Sequence, residues 1–117
     1  MQPTEQQTAR ITRSLAIVSR DPDGMRTAFV QALEARGEHA PAGSCRIIAD
    51  LFEIAQTLGP DSDLPGEEAP SPPGHESALL AALERVAGYT WTNRLAKDWQ
   101  PLVRLVIQRS SAVHVAA

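Results

Sequence analysis

Apolar residues recur along this chain at the three- and four-residue spacings of helices, in five separate stretches. Ile11, Leu15 and Val18 fall at i, i+4 and i+7 and predict a first helix over about residues 5–19. Thr4 and Gln7 have the spacing of a capping box at its start. Asp21-Pro22 ends this helix and opens the second, because Asp can cap and Pro suits the first helical position. Met25, Phe29, Ala32 and Leu33 share one face of the second helix, and Gly37 is its stop. A third helix is expected from about Ser44 to Leu58. Its wide apolar face, Ile47, Ile48, Leu51, Phe52, Ile54, Ala55 and Leu58, predicts deep burial. A fourth runs from about His75 to Ala87, with Leu79, Leu80, Leu83 and Val86 inward and Gly88 as its stop. The last is capped by Thr90 or Thr92 and carries Leu95, Trp99, Leu102, Val106 and Val113 on one stripe. Pro101 lies within it, so a kink or a helix restarting near 97–101 is expected. No stretch alternates with period two, and no segment repeats. The pattern predicts an all-α fold of about five helices in a single domain spanning 1–117.

Between the third and fourth helices, residues 59–74 read GPDSDLPGEEAPSPPG. Five Pro, three Gly and four acids leave only Leu64 and Ala69 as apolar residues. This composition predicts a flexible acidic surface loop that buries little. The loop also accounts for the charge: the chain carries −3 formally, but outside the loop ten acids face eleven bases. Such a balance exerts no net pull on nucleic acid or an anionic membrane. No apolar run is long enough to span a bilayer, and the first residues lack the apolar core of a signal peptide. The single Cys45 cannot form an internal disulfide, and a reducing cytoplasm is the expected setting.

Candidate chemistry is sparse. His39, His75 and His114 are too dispersed for a His-tract metal site. Cys45 opens the third helix, where a thiol can be activated, but no His stands at a spacing that would assist it. Asp50 and Glu53 are the solvated edge of an apolar stripe more readily than an acid/base pair. No nucleophile elbow, P-loop or dinucleotide fingerprint occurs, so no enzyme activity is expected. The last helix sets Arg94, Lys97, Arg104 and Arg109 against one acid, Asp98, which suits docking of an acidic partner or of the chain's own loop. Trp91, before the cap, is the better placed of the two Trp for an interface. Val103 and Ile107 widen the core stripe, as pairing of two copies through the last two helices would require. The candidate interface is therefore Trp91, Arg94, Lys97, Val103, Arg104 and Ile107, for another protein or a homodimer.

Residues 79–99, LLAALERVAGYTWTNRLAKDW, resemble the last two helices of bacterial globins, including the globin domain of flavohaemoglobins. Leu79 and Leu80 open the match, Gly88 forms its corner, Thr92 its cap and Trp99 the final-helix Trp, without a gap. Residues 11–18 resemble the first globin helix, the segment from Phe29 to Ala35 the second, and 44–58 the helix on the distal side of haem. The resemblance implies a truncated globin-like bundle. The interval that would hold the proximal helix and its haem-ligating His corresponds to 59–74, which contains no His. Haem needs an imidazole supplied by the protein, so the expectation is a module without cofactors, similar to haem-free globin-like domains of bacterial signalling proteins. Two other readings follow from the same resemblance: a reduced haem protein that senses or carries gas through His75 or His39, and a sensor of small apolar ligands that uses the vacated cavity.

Overall fold

The computed structural model describes residues 3–38, 44–59, 62, 64 and 73–116, with side chains for all of these except 44, 45, 73 and 110–116. The described residues form an all-α fold: α1 (Glu5–Val18), α2 (Pro22–Ala35), α3 (Ser44–Gln56), α4 (Pro73–Ala87) and α5 (Asn93–Ala116), with one 3₁₀ turn at Gly88–Thr90. No strand occurs among them.

Local chemistry sets the ends. At α1 the Thr4 hydroxyl accepts from the Gln7 backbone N–H at 3.1 Å, while the Gln7 side chain accepts from the Thr4 N–H at 3.4 Å. Asp21 caps α2 by accepting from the Gly24 N–H at 2.9 Å, with Pro22 at the first helical position. The end of α2 is a Schellman turn: Gly37 sits at φ +72°, its N–H reaches the Glu34 carbonyl, and the Glu38 N–H reaches the Leu33 carbonyl at 2.9 Å. Thr92, not Thr90, caps α5, accepting from the Leu95 N–H at 3.1 Å.

One core cluster draws residues from every helix, including Ile11, Phe29, Leu51, Leu83 and Trp99. The most extensive pairing joins α2 to α4, where Ala28, Ala78 and Ala82 are buried beside larger neighbours and let the two backbones approach. α5 packs on α1, α3 and α4 together.

Three expectations are corrected. Of the two outcomes expected at Pro101, the restart does not occur: α5 is one helix through it, with the turns on either side clamped to α1 and α4. α4 begins at Pro73, two residues before His75, since a Pro in the first turn forfeits no helical hydrogen bond. Leu64, in the stretch expected to bury little, is only 3% exposed and belongs to the core. A lone leucine amid polar residues has nowhere else to leave water. Most of the acidic 59–74 stretch, like His39, lies outside the described residues.

Candidate functional site

Gly88 breaks α4 with φ +61°, a conformation open to glycine. The 3₁₀ turn then closes with the Trp91 N–H donating to the Gly88 carbonyl at 3.1 Å, and the Thr90 hydroxyl donating to the Ala87 carbonyl at 2.7 Å. Trp91 is extended and leads directly into the Thr92 cap. These bonds close the α4–α5 corner on its own backbone. From it Tyr89 projects with its surface 100% exposed, the one large hydrophobic residue fully in solvent among those described. Trp91 beside it is half-buried and rests on the core. Arg94 and Lys97 follow on the exposed face of α5.

The expected interface therefore divides. Trp91, Arg94 and Lys97 lie at or near the surface, but Val103, Arg104 and Ile107 do not. Val103 and Ile107 are 0% and 1% exposed, held between α5 and its three neighbours, so they form no second face for a homodimer. Arg104 points inward to the Glu76 carboxylate, with Nη2 to Oε1 at 2.9 Å, and the Gln100 amide donates to the same oxygen at 3.0 Å. Arg104 is a cross-link between α4 and α5, not a docking cation.

Asp98 is likewise removed from the surface. Its carboxylate takes two hydrogen bonds from the Arg10 guanidinium, one of them at 3.1 Å, and its backbone carbonyl accepts from Gln7 at 3.4 Å. The hydrogen bond to Asp98 is the main cause of a raised Arg10 pKa; desolvation opposes it and the Asp98 charge adds to it. Trp99 next to it donates its indole N–H to the Ser14 hydroxyl at 3.0 Å. Sequence reading missed Tyr89, although its neighbours Gly88 and Trp91 marked the corner. It also missed both ion pairs, whose partners are too distant in sequence to leave a local signal.

His75 is partly buried and faces the Glu38 carboxylate at 3.9 Å, joining the start of α4 to the end of α2. The side chains of Cys45 and His114 fall outside the described residues. Asp50 lies 3.9 Å from Arg46 one turn away, and with Glu53 it borders an open groove of about 300 Å³ between α3 and α5. The groove has Ile54, Leu58, Leu64 and Leu105 along its floor and Arg109 at its rim. No group of three or more potential metal ligands occurs among the described residues, and no described helix is long and apolar enough to cross a membrane.

Comparison with known proteins finds no matching family model, no matching curated protein and no matching solved structure.

Proposed function

We propose that this chain works by contact, as a haem-free, globin-like helical module that docks another protein at its α4–α5 corner. The observation that carries the reading is the fully exposed Tyr89 beside the half-buried Trp91 on a hydrogen-bonded turn. Tyr and Trp are the residues that most often anchor interfaces, since each buries a large area at small entropic cost. The ionic and polar side chains of the interior are meanwhile committed to holding α5 in place: Asp98 to Arg10, Glu76 to Arg104, Ser14 to Trp99. The globin-like part of the proposal rests on the match at 79–99, and the packed α4–α5 pair with its Gly88 corner and Thr92 cap supports it.

Two measurements test the proposal. Haemin titrated into the purified protein should give no stoichiometric Soret band; such a band would move the protein to the gas-binding class. A photo-reactive phenylalanine placed at Tyr89, in cells that naturally make the protein, should capture a defined partner. The same group at Thr12, on the exposed face of α1, should not. Equal labelling at the two positions would remove the corner from consideration.

A further inference from the structure

We infer that the partner presents an acidic segment carrying an apolar side chain, and that the α4–α5 corner reads both features. The inference rests on the docking reading above and adds the chemistry of the occupant. The apolar feature follows from Tyr89 and Trp91: one ring stands wholly in water and its neighbour is half covered, so an apolar side chain laid across them removes ring surface from water.

The acidic feature follows from what has been done with the local charges. Arg94 and Lys97 lie three residues apart on the opening turns of α5; both are exposed, and neither makes an ion pair among the described residues. Their sequence neighbour Asp98 would cancel part of this charge if it faced solvent. It is instead held at the buried side of α5 by Arg10. Arg85, in the last turn of α4, turns toward α2 instead, donating to the Gln31 amide at 2.8 Å in a groove that Asp21 also lines, and takes no part in this surface. From Tyr89 to Lys97 the exposed charges are Arg94 and Lys97, and no acid lies among these residues. The chain as a whole is acidic, at −3. Outside the 59–74 stretch the chain carries ten acids against eleven bases, so an acidic segment meets a nearly neutral surface there and is drawn to the local excess of cations at this corner.

The test uses the intact protein and a short fluorescent peptide of Asp and Glu with one central Leu. Two controls accompany it: the Asn/Gln counterpart, and the acidic peptide with Ser for Leu. Anisotropy should show binding of the acidic Leu peptide. That binding should weaken about tenfold in Tyr89→Ser and in the Arg94→Glu/Lys97→Glu double variant, and further with added salt. Arg13→Glu, on the exposed face of α1, should leave it unchanged. Each position is solvent-exposed, so the variants should keep the native circular dichroism spectrum. Equal binding of the Asn/Gln peptide, or no loss in the charge-reversed variant, overturns the inference. So does concentration-dependent self-association that Lys97→Glu abolishes, since a second copy is then the occupant. If Tyr89 captures a partner in cells while the acidic peptide fails to bind, the chemistry inferred here falls and the docking reading stands. If both fail, both fall.

Discussion

Arg104 shows how far a side chain's role depends on where its helix sits. The guanidinium and the Glu76 carboxylate are both almost withdrawn from water, at 8% and 11% side-chain exposure, and each is the other's charge partner. Removing one member leaves a desolvated charge behind, which costs more than the pair contributes. Arg104→Ala should therefore lower the unfolding free energy by about 3 kcal/mol in urea titrations. The double replacement Glu76→Gln/Arg104→Met should recover most of that loss, because no buried charge remains. An Arg104→Ala change that costs nothing would mean the cation is hydrated after all. Arg10 makes a different prediction, in pH. Its pKa is raised on folding, so its contribution is complete below the ordinary guanidinium value and is lost only as pH climbs through the raised one. Arg10→Met should accordingly shift the urea midpoint by the same amount at about pH 6 and about pH 9. None of these partners could be paired from the sequence. Arg10 and Asp98 lie 88 residues apart, Glu76 and Arg104 28, and only the assembled bundle brings them together.

At the scale of the helix, most of the fold was legible, because caps and periodicity are local. Thr4 with Gln7, Asp21 with Pro22, Gly37 and Thr92 all act within a few residues of themselves. The face of α5 was not legible. A helix apolar on several sides is either central to its own domain or covered by a second copy, and the pattern is the same in both cases. Here α1, α3 and α4 surround α5, and Val103 and Ile107 are used up inside one chain. The start of α2 offers a sharp test of a cap. A Cβ built on Gly24 would lie 2.1 Å from the Asp21 carboxylate oxygen, so Gly24→Ala must displace the capping side chain. The loss of the cap, about 1 kcal/mol, offsets the gain in helix propensity of up to about 1 kcal/mol. The change should be nearly neutral in the native chain. In an Asp21→Ala background, where no cap remains to be lost, the same change should stabilise. A double-mutant cycle by thermal unfolding measures the difference, and equal effects in the two backgrounds would remove Asp21 as the cause.

For the molecule as a whole, the decisive residue is one the composition argued against. The Pro-rich acidic stretch supplies Leu64 to the same cluster that holds Leu51, Trp99 and Leu102, and beside it Ile54, Leu58 and Leu105 remain partly open along the groove. Composition averages over a window, and an average of polar residues conceals a single apolar one that packs. If Leu64 closes the α3–α5 side of the core, Leu64→Ala should destabilise by about 2 kcal/mol or more, the range for buried leucines. The same variant should enlarge the groove and raise binding of an apolar dye, while peptide binding at the distant α4–α5 corner stays unchanged in the folded protein. That combination separates a structural anchor from a docking element. Loss of peptide binding at full stability would instead tie the acidic stretch to the corner, and the two ends of α4 would have to be treated as one surface.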